Sequence, residues 1–310
     1  MKARLVMPGK QPLAYTAMSL LEFQARFPAD RECYDYLLPT RFPGGFACPK
    51  CGSAKSGQIS TRGLWQCKGC RAQVSLTAGT MFHRTRTPLR LWFWAIFLVA
   101  RDKRGHSALQ LKKELGIPYD RAWLMLHKIR SAMAYRDSRY RLNGVVELDE
   151  AYFGAPDPSG KGRGTGRAKA LVAVSITEDG KPRFAKIQKV ARLDGRRVKR
   201  LAADVIAPGT RIRTDGLNIY RCLSKRYVHE PVVATGKPKD KLLKWVHVAI
   251  SNAKSFIMGT FHGLDAKHLQ RYLDEFCYRF NRRYREAELF DRLLAACAGA
   301  PPLTYDELTR

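Results

Sequence analysis

Val145–Gly154 reads VVELDEAYFG, and its reading decides the fold. Val145, Val146 and Leu148 suit a buried strand. Glu147, Asp149 and Glu150 break that apolar run with carboxylates. An acid on a core strand is costly unless something pairs with it, and a metal ion is the usual partner. Side chains on a strand alternate, so Glu150 points to the opposite face from Asp149. Asp149 is therefore read as the first ligand of a divalent-metal site.

Downstream, Ala155–Ala170 is a Gly/Pro-rich loop whose Lys161, Arg163, Arg167 and Lys169 suit phosphate contact. Leu171–Thr177 and Arg183–Val190 read as a hairpin turning at Glu178–Lys181, on its Asp-Gly signal. Arg196–Ile206 reads as a helix, Arg211–Thr214 as a strand ending at Asp215, Leu217–Tyr227 as a helix and Glu230–Val233 as a strand. Thr235–Lys244 is a basic loop. Trp245–Met258, Leu264–Phe280 and Arg285–Ala298 are amphipathic helices. A mixed sheet with helices on both faces fits this order. It is the order of a ribonuclease H-like α/β domain.

Adjacent parallel strands would bring Asp149 and Asp215 together. Two such carboxylates repel unless a cation lies between them. Mg²⁺ or Mn²⁺ suits oxygen ligands and also binds phosphate oxygens. A third ligand is expected from the helix Trp245–Met258. Its stripe Trp245, Ala249 and Phe256 places Asn252 on the inward side. His247 and Lys254 share another face and are read as DNA contacts.

Upstream, Leu20–Phe27 and Cys33–Leu38 read as short helices punctuated by Pro28, Pro39 and Pro43. Cys48, Cys51, Cys67 and Cys70 form two Cys-x-x-Cys pairs with 15 residues between them. Two such knuckles, turning at Gly52 and Gly69, supply four thiolates in a tetrahedron. Such a set closes a structural Zn²⁺ site with no open position. Gln58–Thr61 and Leu64–Gln66 are its strands. Pro88–Ala100 is a hydrophobic helix. Ser107 caps Ala108–Leu115, Gly116-Ile117-Pro118 turns the chain, and Tyr119–Ala134 follows as a second helix. This is the pattern of a helix-turn-helix. The outward positions of its second helix are read as Asp120, Arg121, His127, Lys128 and Arg130. Arg121, Lys128 and Arg130 are the DNA contacts expected there.

The totals agree. Lys plus Arg number 56 against 27 for Asp plus Glu, a net charge of +29 in 310 residues. That field attracts nucleic acid. Met1–Lys10 lacks the apolar core of a secretory leader, and Leu91–Ala100 is about half the length that spans a bilayer. No membrane partner and a cytoplasmic, nucleoid-associated location are expected.

VELDEAYFG, RTDG, HVAISNAKSFIMGTFHG and YLDEFCYRFNRR resemble, in order, the motifs of bacterial insertion-sequence transposases of the DDE superfamily that carry an N-terminal zinc ribbon. CPKCG…WQCKGC, SALQLKKELGI and AWLMLHKIR resemble that family's ribbon and helix-turn-helix. The likeness spans roughly residues 15 to 300. It implies a triad of Asp149, Asp215 and Asn252 in the branch whose third residue is an asparagine. It also implies two Mg²⁺ or Mn²⁺ ions, terminal inverted repeats and target DNA as duplex substrates, strand cleavage followed by strand transfer, and a homo-oligomer on DNA. The alternatives are a zinc-ribbon/helix-turn-helix regulator without catalysis and a structure-specific nuclease. The expected architecture is an N-terminal helical segment (1–44), a zinc ribbon (45–83), a helical DNA-binding region (88–140), a ribonuclease H-like catalytic domain (144–260) and a C-terminal helical extension (261–310).

Overall fold

In the computed structural model, the described residues are 17–59, 63–154, 167–233, 243–262 and 264–309. The acidic strand is β4 (Val145–Phe153), at the centre of a five-stranded sheet. It takes the numeral four because the ribbon supplies β1 (Ser56–Ile59), β2 (Leu64–Cys67) and β3 (Gln73–Ser75). β5 (Ala168–Ile176) runs antiparallel to β4 with Asp149 opposite Val172. β6 (Pro182–Val190) returns antiparallel to β5. The turn between them places Gly180 at φ +75°, and its N–H donates to the Thr177 carbonyl at 2.9 Å. On the other side, β7 (Arg211–Thr214) lies parallel to β4, and β8 (Val228–Pro231) lies parallel to β7. The order is β6-β5-β4-β7-β8.

Alternation along β4 gives the two faces different partners. Val146 and Leu148 pack with α6 (Gly195–Val205), whose first turn is capped by Asp194 through Arg197 N–H at 2.9 Å. Ala151 and Phe153 pack under α7 (Lys244–Thr260) and α8 (Leu269–Phe280). The acids Glu147 and Asp149 share that second face with them.

The amino-terminal helices are α1 (Leu20–Arg26), α2 (Asp30–Arg41), α3 (Leu89–Arg101), α4 (Ala108–Leu115) and α5 (Tyr119–Asp137). Phe23, Phe27, Phe93 and Phe97 form an apolar core there. Phe290 of α9 (Leu289–Gly299) enters the same core, so the carboxy-terminal helix closes against the first ones. A last turn, α10 (Tyr305–Thr309), buries Leu308.

Several boundaries move from the sequence expectation. Pro39 sits inside α2 rather than ending it. The expected helix over residues 217–227 is a 3-10 turn, Asn218–Leu223, because the chain must enter β8 at Val228. β5 begins at Ala168, so Lys169 belongs to a strand and not to the loop. Lys161, Arg163 and nearly all of the basic loop expected at residues 235–244 lie outside the described residues.

Candidate functional site

The ribbon brings its cysteines together. The sulfurs of Cys48, Cys51, Cys67 and Cys70 all lie within 4.8 Å of one another. The two knuckles repeat one geometry. The Cys48 carbonyl accepts Gly52 N–H at 2.8 Å, and the Cys67 carbonyl accepts Arg71 N–H at 3.0 Å. Gly52 (φ +73°) and Arg71 (φ +59°) are the left-handed residues, so the second knuckle turns on Arg71 and not on Gly69. Backbone N–H groups, Cys70's foremost, draw the Cys67 thiol down to about 6. A thiolate is the form that ligates, and four thiolates are the donor set that Zn²⁺ takes. β1, β2 and β3 add only a small apolar patch around Phe46 and Trp65.

The acidic site is built on β4. The last paired residues of β4 and β7 are Glu147 and Arg213, and the same offset two residues on sets Asp215 beside Asp149. Asp149 faces the α7 side of the sheet, and Asp215, one residue past β7, is close enough to act on it electrostatically. Asp149 is largely buried while Asp215 is exposed at the strand end, where its carboxylate accepts Leu217 N–H at 3.2 Å. Gly216, at φ +82°, makes the turn behind it. Burial pushes the Asp149 carboxyl up to about 6. Glu150 and Asp215 add to that, and the Glu150 N–H and His247 oppose it. An acid raised by burial and neighbouring acids is a site short of positive charge.

α7 supplies the third group. The buried Glu147 carboxylate accepts the N–H groups of Trp245 (2.7 Å) and Val246 (2.8 Å), pinning the first turn of α7 to β4. One residue later, His247 Nε2 stands 3.7 Å from Asp149 Oδ2. Among the described residues Asn252 makes no hydrogen bond to either acid. It is exposed and lines a cleft with Ala100, Arg101 and Ser255, about 140° around the helix from His247 at about 100° per residue. The inward stripe of α7 is Val246, Ala249, Ile250, Ala253, Phe256 and Ile257. Trp245 is only half-buried, and counting it as inward tilts the expected stripe toward Asn252. His247 and Lys254 lie together along the opposite border of that stripe.

Glu150 points to the α6 face and accepts the buried Tyr220 hydroxyl at 2.9 Å. Glu147, marked in the sequence as one of the acids on the strand, is therefore a support, and so is Tyr220, which the sequence did not mark.

The expected DNA contacts separate. Arg121 is exposed and Lys128 half-buried on one flank of α5. Arg130 is a correction, because its guanidinium is buried against Glu275 at 2.7 Å and stacks 4.0 Å over the Tyr272 ring. His127 is buried as well. The face expected to meet DNA is in part the face that packs on α8. Arg167 is half-buried before β5, and Lys169 Nζ lies 5.9 Å over the Tyr152 ring. Lys254 is half-buried. No described helix is long and apolar enough to cross a membrane.

Comparison with known proteins follows the same division. Residues 28–73 match a family described as a transposase zinc-ribbon domain. Residues 141–281, from just before β4 to the end of α8, match the ISXO2-like transposase domain. A Halobacterium salinarum protein described as an uncharacterized protein in transposable element ISH50 is 26% identical over 210 residues. That alignment takes in 63% of this chain and 70% of the relative. The chain belongs to the insertion-sequence transposases that join an N-terminal zinc ribbon to a DDE-type domain.

Proposed function

We propose that this transposase cuts and joins DNA at a divalent-metal centre held by Asp149, Asp215 and His247. The observation that carries this reading is the pairing of Asp149 with His247, with the Asp215 carboxylate near enough to raise the Asp149 carboxyl. The donor set fits the metal. Two carboxylates suit Mg²⁺ or Mn²⁺, and an imidazole moves the preference toward Mn²⁺. Held by Asp149, Asp215 and His247, such ions would supply charge to stabilise the attacking and leaving oxygens of a phosphoryl transfer.

The chain's own groups do the positioning. Glu147 fixes where α7 begins and hence where His247 points. Tyr220 holds Glu150 on the far face and so keeps β4 in register beside the site. Lys254, on the His247 border of α7, meets a DNA phosphate. Water attacks the phosphodiester at an element end and leaves a 3′-hydroxyl. That hydroxyl then attacks a target phosphodiester and expels the target's own 3′-oxygen.

The sheet order supports a ribonuclease H-like fold, and α4 with α5 supports a helix-turn-helix. The ribbon, α5 and the basic segments around the site bind the terminal repeats as duplex DNA. Pairing two ends requires a homo-oligomer, working on DNA in the cytoplasm.

The test incubates wild-type, Asp149→Asn and Asp215→Asn proteins with end-containing DNA and Mg²⁺ or Mn²⁺, read on a sequencing gel. Wild type yields nicked and joined products. Both variants bind the DNA equally well and yield neither. Cutting by either variant at the wild-type rate would sink the reading.

A further inference from the structure

Residues 84–87 read RTRT and lead from the ribbon into α3. The segment is fixed from both sides. Thr85 N–H donates to the Phe82 carbonyl at 3.1 Å. The Thr85 hydroxyl oxygen accepts the Trp92 indole N–H at 2.9 Å and Thr87 N–H at 3.1 Å. Arg84 holds φ +53°, a conformation an L side chain adopts only when its surroundings impose it. The backbone thus dictates where Arg84 and Arg86 project, and both are exposed.

Across a cleft of about 280 Å³ lies the open flank of α5, with Arg121, Leu124 and Lys128. Arg121 and Lys128 are seven residues apart, two helical turns, and so project on one side. Four cations therefore line two walls. None forms a salt bridge among the described residues. Burial pushes the Lys128 ammonium below its ordinary value. A half-buried cation without a counterion favours an anion from outside. The lining holds one carboxylate, Asp120 in the first turn of α5, and one exposed ring, Tyr305 of α10.

We infer that this cleft seats the sugar–phosphate backbone of duplex DNA, with Arg84 and Arg86 on phosphates beside those met by Arg121 and Lys128. The inference rests on the proposed DNA chemistry. It adds a DNA-binding segment outside both the ribbon's strands and the α4–α5 pair. Phosphate contacts set position and carry no base information, so they act on any duplex alike.

The test uses the full chain. Arg84→Ala/Arg86→Ala and Arg121→Ala/Lys128→Ala proteins are titrated against labelled end DNA and a scrambled duplex over a salt series. The slope of log affinity against log salt shrinks by about 0.9 for each phosphate that is no longer neutralised, so by about two for either double variant. The weakening is the same on both duplexes, and Arg84→Lys/Arg86→Lys keeps the wild-type slope. An unchanged slope in Arg84→Ala/Arg86→Ala overturns the inference, as does a weakening confined to the end sequence. Asp149→Asn separates this from the catalytic reading, since it loses cleavage and keeps the full slope. Wild-type cleavage beside an unchanged Arg84→Ala/Arg86→Ala slope would remove the cleft and leave the metal centre standing.

Discussion

At the scale of the residue, alternation on β4 sorts three acids into three tasks. Glu147 caps a helix, Asp149 faces His247, and Glu150 takes the Tyr220 hydroxyl on the other side. The third position of the proposed metal centre is then a question of angle around α7. His247→Ala removes a proposed ligand and lowers Mn²⁺ affinity by more than the roughly 10- to 100-fold that loss of an outer-shell partner costs. Asn252→Ala leaves that affinity as it is, because its side chain lies on another flank. Calorimetric titration of Mn²⁺ measures both, and equal losses would return Asn252 to the centre.

At the scale of the element, α7 has no side-chain cap of its own, since its N-cap residue is Leu243. Glu147 supplies the cap from β4, and its negative charge also suits the positive end of the helix. The Trp245 indole N–H adds a bond to the Gly180 carbonyl at 2.7 Å, tying the same turn to the β5–β6 hairpin. Glu147→Ala orphans the buried Val246 N–H and the part-buried Trp245 N–H and costs about 1–3 kcal/mol. A urea midpoint measures it, and Glu147→Gln, which keeps an acceptor oxygen, loses less. The alanine variant also binds Mn²⁺ more weakly, because His247 loses its fixed start. An unchanged midpoint in Glu147→Ala would show that α7 is held by its apolar stripe alone.

At the scale of the molecule, α8 joins the helical front to the catalytic sheet. Its Glu275 takes Arg130 of α5 at 2.7 Å and Arg279 at 2.7 Å, and Arg279 reaches the α3 carbonyl of Val99 at 2.6 Å. Burial would raise the Glu275 carboxyl, but Arg130 and Arg279 hold it below its ordinary value. Nearby, buried Lys186 of β6 donates to the carbonyls of Asp137 and Tyr140. Asn281 bridges Asp137 (3.0 Å) to the β6 backbone at Ala185 (2.6 Å). Glu275→Ala leaves two buried guanidinium groups unpaired and costs about 3–5 kcal/mol in urea unfolding. Replacing Arg130, Glu275 and Arg279 together by apolar residues of similar size recovers most of that. Equal losses in the two variants would show that the charges themselves, and not their pairing, set stability.

By itself the sequence determined the features that local spacing encodes. Two Cys-x-x-Cys pairs dictate a ribbon, Ser107 and Gly116 bound a helix, and the Asp-Gly turn makes a hairpin. The period-two run in Val145–Gly154 marks a core strand with an acid that needs company, and the 66 residues from Asp149 to Asp215 equal the offset of the β4–β7 register. Only the tertiary structure decided which polar residues are spent on packing. Arg130 and His127 share a helix with Arg121 and Lys128 and look alike in sequence, yet α8 covers the first two and leaves the others open. Likewise, Asn252 and His247 sit on one helix, and only a carboxylate on a distant strand, Glu147, fixes which of them meets Asp149. Periodicity gives the angle between two side chains on a helix. What each side faces depends on partners far away in the chain, and those no local pattern names.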